Sequence, residues 1–266
     1  MSKLRRAQFR NYDDPLGPRF EGYFAGGQPA DGGTLKVVTY NICQGRNVEG
    51  SIEELRASKP LQGADIILLQ EMDETGTEHM ARELGHNYVY YPASLPFMQG
   101  RNLGNAILTR WPLTQLHKLI LPYRHPAIRQ TRIAVRGTVA VGNLDIIVYS
   151  VHTEIYSTLI KHRTAQVAAL VDDIGRGNAP VILGGDLNTI TRRSIRRLTG
   201  QFAEVGLVRA SEGCGPTIRI LDKWAAATDH IFARGFQVLA AGVVEAARAS
   251  DHFPVWTELA WSNSAL

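Results

Sequence analysis

Asp186 and Asn188 stand two positions apart, after the apolar run Val181-Ile182-Leu183 and a pair of glycines. A carboxylate at a strand end can accept a proton from water, and a carboxamide beside it can hydrogen-bond a charged oxygen. Polar residues that close apolar runs recur at Asn41, Glu71 and His152, with Asp229-His230 and Asp251-His252 completing the group. Each alone is ordinary, as a turn residue or a helix cap. Together they point to one shared site. The group is rich in hard oxygen donors and lacks thiolate, which suits Mg²⁺ or Mn²⁺ better than zinc. Glu71, helped by Asn41, supplies the carboxylate that magnesium takes. Asp186 is the candidate for activating water, and the histidines on the far rim for stabilising a phosphoryl oxygen.

The elements that must position these residues are legible as strands and helices. Residues 35–41 predict a strand, 51–58 a short helix and 64–71 a second, buried strand. Residues 77–84 predict a helix, and 105–109 and 132–141 further strands. Residues 144–152 then echo the first strand. Ser157 can cap a helix whose Leu159, Val167, Leu170, Val171 and Ile174 share one face, and 179–186 echo the second strand. Gly184 and Gly185 read as a tight turn. Two strand–helix–strand units, 35–71 and 144–188, thus each carry an acid at the end. Two such halves would pack their sheets face to face with helices outside, bringing the polar strand ends to one edge.

Ahead of them, residues 1–33 are rich in proline and glycine and read as an irregular arm that wraps the domain or stays mobile; 34–262 read as a single domain. With 266 residues, 44% hydrophobic and 20% charged, the chain has the make-up of a soluble globular protein with a sizeable core. The net charge of +4 demands no nucleic acid, though it leans toward anionic partners. Cys43 and Cys214 form no Cys-x-x-Cys pair, so a disulfide framework and structural zinc are not expected. The basic, polar stretch 1–10 lacks the apolar core of a signal peptide, and no run is long enough to span a membrane. The expectation is a cytoplasmic protein.

The ordered motifs carry a resemblance. Thr39-Tyr40-Asn41-Ile42, Leu69-Gln70-Glu71, the segment from Gly104 to Arg110, Val151-His152-Thr153-Glu154, Gly185-Asp186-Leu187-Asn188, Asp229-His230-Ile231-Phe232 and Ser250-Asp251-His252-Phe253-Pro254 occur in order. From about residue 35 to 260 the chain resembles the endonuclease/exonuclease/phosphatase superfamily, which includes DNase-I-like nucleases, repair exonucleases, inositol polyphosphate 5-phosphatases and sphingomyelinases. The resemblance implies an α/β fold, a four-layer αββα sandwich of two packed mixed sheets flanked by helices, and metal-dependent phosphoester hydrolysis. It implies that Glu71 binds the metal beside Asn41, with Asp251 completing the metal or water network. Asp186 would orient or deprotonate water, and Asn188 would contact the transition-state phosphate. His252 would stabilise the phosphoryl group with Asp229 holding its imidazole, and His152 would contact another phosphate oxygen. Two positions depart from the pattern: Ser150-Val151-His152 stands for the usual Asn-Thr-His, and Asp229-His230 for the usual Asp-Tyr.

Substrate contacts are read from the remaining polar and basic residues. Thr191 can cap a helix on which Arg192, Arg193, Arg196 and Arg197 fall within a stripe of about 140°. That stripe is either a solvated basic face or an anion-binding rim suited to nucleic acid or an anionic lipid. Arg124, His125, Arg129 and Arg132 form a second basic group, one member of which can face the cleft. Asn105, Arg132, Arg192 and Arg193 are the substrate-binding candidates. Residues 91–100 read as an irregular loop with Leu95, Phe97 and Met98 packed inward or exposed to stack on a base or meet lipid. Gly-x-Ser-x-Gly, Walker A and His-Glu-x-x-His motifs are absent. Three readings follow: a nuclease-type phosphodiesterase, a phospholipid or inositol/sugar phosphate phosphoesterase, and a non-catalytic binder on the same scaffold.

Overall fold

A computed structural model describes residues 9–27, 32–96, 100–220 and 224–261. In chain order, β1 (Phe9–Asn11), β2 (Phe20–Gly22) and β3 (Thr34–Asn41) precede α1 (Val48–Ala57). Next come β4 (Ile66–Met72), α2 (Glu74–Leu84), β5 (Asn87–Pro96), β6 (Leu103–Thr109), β7 (Leu113–Ile120), β8 (Ile133–Val141) and β9 (Leu144–His152). Then follow α3 (Ile160–Ile174), β10 (Val181–Asp186), α4 (Arg192–Ala203), β11 (Val208–Arg209), β12 (Ile218–Ile220), β13 (Trp224–Ala226), β14 (Asp229–Arg234), β15 (Gln237–Val243) and β16 (Val255–Ala260).

One sheet runs β1-β5-β6-β4-β3-β16-β15 with β2 also on β5; the other runs β11-β14-β10-β9-β8-β7. Period-two alternation builds four layers from these strands. Val37, Leu68 and Ile107 of the first sheet meet Val135, Val148 and Ile182 of the second in one central core. On the outer faces, Val38, Tyr40 and Leu69 pack on Ile52 and Met80 of α1 and α2. Tyr149, Val151 and Leu183 pack on Val167, Leu170 and Phe202 of α3 and α4. The expected αββα sandwich is the fold. The two sequence units are its two parallel crossovers, β3–α1–β4 and β9–α3–β10.

Several local expectations are corrected. Gly184 and Gly185 do not turn; they lie within β10 because there is no room for a side chain. A Cβ on Gly184 would meet Leu68 Cδ1 of the facing sheet at 2.6 Å, and one on Gly185 would meet the Val151 carbonyl oxygen at 1.8 Å. The turn comes after them, with Asn188 at φ 50°. Leu159, not Ser157, is the residue that opens α3, with no side-chain cap. Residues 91–96 belong to β5 rather than to a loop, with Tyr91 and Ala93 in the central core; Phe97 and Met98 lie outside the described residues. The first 33 residues are not irregular throughout. β1 and β2 pair with the two ends of β5, and buried Lys118 donates to the carbonyls of Tyr12 at 2.9 Å and Gly17 at 2.7 Å. No helix among the described residues is long and apolar enough to cross a membrane.

Candidate active site

Strand register sets the site. Asp186 pairs with His152 of parallel β9 on one side and with Asp229 of antiparallel β14 on the other, so three polar residues form one row across the second sheet. Asp229 opens β14 rather than closing a strand, and Asp251-His252 precede β16. In a mixed sheet, the start of an antiparallel strand shares an edge with the ends of parallel ones. His252 is tied there by a bridge to Ile218 and by Phe253 N–H donating to the Thr217 carbonyl. From the first sheet, Asn41 closes β3, and Glu71 sits where the β4–β6 register slips. Glu71 takes φ 58°, a strained backbone for a residue with a side chain, and strain of this kind concentrates at functional sites.

The groups converge on Asp186. Its Oδ2 accepts from Asn41 Nδ2 at 3.2 Å and lies 3.4 Å from His152 Nε2 and 3.9 Å from His252 Nε2. Its Oδ1 accepts the Asn188 N–H at 3.0 Å. Burial, followed by the charge of Asp229, pushes the Asp186 carboxyl up to about 7, with His252 and the Asn188 N–H pulling the other way. His252 moves upward too. Burial works against its charge, but Asp229 Oδ2, 2.8 Å from Nδ1, outweighs that and raises it to about 10. Asp229 Oδ2 also accepts from Thr217 Oγ1 at 2.7 Å and Thr228 Oγ1 at 2.8 Å. His152 is driven the opposite way, well below its ordinary value, by burial and then by Arg132 and His252. Arg132 Nη1 lies 3.1 and 3.2 Å from the two ring nitrogens, which places the guanidinium over the ring.

The donor atoms of Asp186, Asp229 and His252 lie within 4.8 Å of one another, a spacing that a metal ion could use. That trio is already knitted by hydrogens, however, with Asp229 Oδ2 accepting three bonds. Glu71 is different. It is half-buried, lines the cleft with Gln44, Asn105, Arg132 and His152, and its carboxylate forms no hydrogen bond or ion pair among the described residues. A strained, unpaired carboxylate within electrostatic reach of Asp186 fits a hard divalent cation. Asn41 stands at the same edge, its Oδ1 accepting the Cys43 N–H at 3.0 Å. Asp251 is exposed at the mouth and accepts from Ser250 Oγ at 3.3 Å.

The substrate-binding candidates separate. Arg132 is the member of its basic group buried in the cleft, with His125 also lining it; Arg124 instead pairs with Asp13 at 2.6 Å. Asn105 lines the cleft, but its amide nitrogen staples the sheets by donating to the carbonyls of Ile133 and Ser150. Arg192 and Arg193 are not in the cleft. They lie exposed on α4, where Thr191 and Ser194 form the capping box, Arg193 facing α3 and Arg192 a hollow shared with Arg209 and His230. Asn188 already donates to the Thr153 carbonyl at 3.1 Å.

Both departures from the family pattern have structural roles. Ser150 Oγ donates to the Leu69 carbonyl at 2.9 Å and accepts from Gln70 Nε2 at 3.1 Å, a second staple between the sheets, while Val151 fills the outer core. His230 points away from the dyad to Thr189 Oγ1 at 2.7 Å, and burial first, then Arg209, lowers it to about 4. Thr217 and Thr228 were not signalled by motif or period, and Gln70 and Glu154 stood in the ordered motifs without a role. Thr228 precedes Asp229 in the chain, whereas Thr217 could have been found only from its nearness to Asp229 in space.

Residues 38–252 match the Endonuclease/Exonuclease/phosphatase family. The chain belongs to that family. Its members hydrolyse phosphoesters, and the chain is a hydrolase of this kind. A curated relative, a UPF0294 protein of Vibrio cholerae serotype O1, is 25% identical over 226 residues, covering 84% of this chain and 76% of its own. The family fold recurs in the endonuclease/exonuclease/phosphatase of Beutenbergia cavernae, with a TM-score of 0.68, 21% identity, 86% of this chain and 72% of that one. A mannosyl-6-phosphatase of Bacteroides thetaiotaomicron is similar at a TM-score of 0.67 and 20% identity, over 85% of this chain and 100% of that one.

Proposed function

We propose that this chain is a divalent-metal-dependent phosphodiesterase of nuclease type, working in the cytoplasm by in-line attack of an activated water on phosphorus. One observation carries the reading. Two titratable groups less than a hydrogen-bond length beyond contact, Asp186 and His252 at 3.9 Å, have their pKa values pushed to about 7 and about 10. A carboxylate that can take a proton near neutrality beside an imidazole that stays charged is the division of labour a hydrolase needs.

Asp186 Oδ2 then accepts the proton of the attacking water. Asp229 holds His252 by Nδ1, which leaves Nε2–H to face the negative charge growing on the phosphoryl oxygens. His152, kept neutral, and Asn188 contact further phosphate oxygens. Glu71, with Asn41 and Asp251, would hold Mg²⁺ or Mn²⁺, which when bound supplies Lewis-acid charge to the phosphate. Arg132 and Asn105 would line the substrate path.

A second reading is a phospholipid or a sugar phosphate as substrate; the buried Arg132 favours the sugar phosphate, since its fixed charge suits the extra negative charge of a monoester. A panel of plasmid DNA, a lipid phosphodiester and an inositol phosphate with Mg²⁺ or Mn²⁺ decides between them. Asp186→Ala and His252→Ala should each lower turnover about 10²–10⁴-fold while the fold survives. Full activity in either variant would sink the assignment, and failure to cleave any phosphoester would favour a non-catalytic binder.

A further inference from the structure

The cleft opens beside a surface that the hydrolytic groups do not use. β9 and β10 deliver His152 and Asp186, and after a few buried residues the chain leaving each strand exposes apolar side chains. Tyr156, Leu159 and Ile160 lie between β9 and the first residue of α3, and Ile190 lies between β10 and α4. Leu159 and Ile160 are 57% and 59% exposed, where an ordinary helix start would turn such side chains inward. Ile160 borders a groove between α3 and α4 together with Arg163, Arg193 and Arg197, and buried Val167, Leu187 and Leu198 floor it. Single exposed apolar residues are common, but a cluster at one rim marks an interaction surface.

The charge on the same surface is positive toward the starts of the two helices, with the acids Asp172, Asp173 and Glu204 at their other ends. From residue 155 to 171 the chain carries Lys161 and Arg163 and no acid; from 187 to 203 it carries Arg192, Arg193, Arg196 and Arg197 and no acid. We propose that the α3–α4 face docks on an anionic phospholipid bilayer, with Leu159 and Ile160 entering the interface and Lys161, Arg163, Arg193 and Arg197 meeting its phosphate head groups. Branched aliphatic side chains among arginines have the composition of an interfacial membrane surface. Nucleic acid fits the arginines and would find one aromatic, Tyr156, but Leu159 and Ile160 are the more exposed, whereas single strands are held by successive aromatic platforms and duplexes by phosphate contacts. The proposal rests on the phosphoesterase reading only in saying where that site works, since α3 and α4 start from the chain that leaves the strands carrying His152 and Asp186.

Co-sedimentation of the full chain with vesicles tests it. Vesicles of phosphatidylglycerol and phosphatidylcholine in equal parts should bind the protein, and pure phosphatidylcholine vesicles should not. The double variant Arg193→Ala/Arg197→Ala should weaken binding about thirtyfold. Leu159→Ser/Ile160→Ser should weaken it about tenfold or more. All four positions are exposed, so thermal melts should match the parent. No binding to anionic vesicles overturns the proposal. So does vesicle binding that survives the two aliphatic changes, with tight binding of a single-stranded oligonucleotide assigning the face to nucleic acid instead. The measurement needs no turnover: an active enzyme that ignores vesicles refutes docking alone, and an inactive one that binds them refutes the phosphodiesterase alone.

Discussion

Asp186 and His252 carry opposite demands on protonation, and the pH profile should show both. Asp186 must be ionised to accept a proton, so kcat/KM should rise with pH through about 7. His252 must stay charged, so kcat/KM should fall through about 10. Asp229→Asn removes the charge that outweighs the burial of His252, and the alkaline limb should move down by about 1–3 pH units, checked by NMR titration of the ring. An alkaline limb that stays in place would mean that another group produces it. Glu71 makes a separate prediction. Saturating Mn²⁺ at about 100 times its Kd should stabilise the protein by about 2.7 kcal/mol, and Glu71→Gln should remove most of that gain in a thermal melt. An undiminished shift would take Glu71 out of the metal site. These residues were legible in the sequence because each acid or imidazole interrupts or borders an apolar run. The roles of Thr217, Thr228, Gln70 and Ser150 were not, because polar side chains look alike in a loop and in a buried network until packing removes the water.

At the scale of elements, β10 shows how packing can reverse a local reading. The Gly184-Gly185 pair has the signature of a turn, yet both residues stay in the strand because Leu68 and the Val151 carbonyl oxygen occupy the space of their side chains. Gly185→Ala would force backbone apart from backbone, since its Cβ would fall 1.8 Å from that oxygen. We expect a loss of about 3 kcal/mol or more, beyond ordinary overpacking, read by denaturant unfolding. Near-parental stability would show that β9 and β10 can part without penalty. Strands β5, β7, β15 and β16 escaped the sequence reading. β15 and β7 lie at sheet edges with half-exposed faces, and β5 carries proline at 92 and 96, so none shows a clean apolar run.

Across the whole molecule, residues 9–27 complete the first sheet. They cap both ends of β5 and give buried Lys118 two carbonyl partners. Removing residues 1–27 should lower stability by about 3 kcal/mol or more, because an ammonium would lose both bonds and a strand edge would open to other chains. Light scattering and thermal melts of the truncated chain would check this, and an unchanged monomeric protein would show the segment to be dispensable. The sequence by itself determined the two strand–helix–strand halves, the polar residues on them and the family, since apolar period and residue type are local properties of the chain. Tertiary structure decided which polar groups meet. Asp229 opens an antiparallel strand that joins the row at Asp186 through sheet pairing, and His252, ahead of β16 in the other sheet, reaches it through its bridge to Ile218 and its bond to Asp229. Burial and the charge of Asp229 raise the carboxyl to about 7, while the same Asp229 outweighs burial to raise the imidazole to about 10. Proton affinities depend on desolvation and on neighbouring charge, and neither exists until the two sheets close.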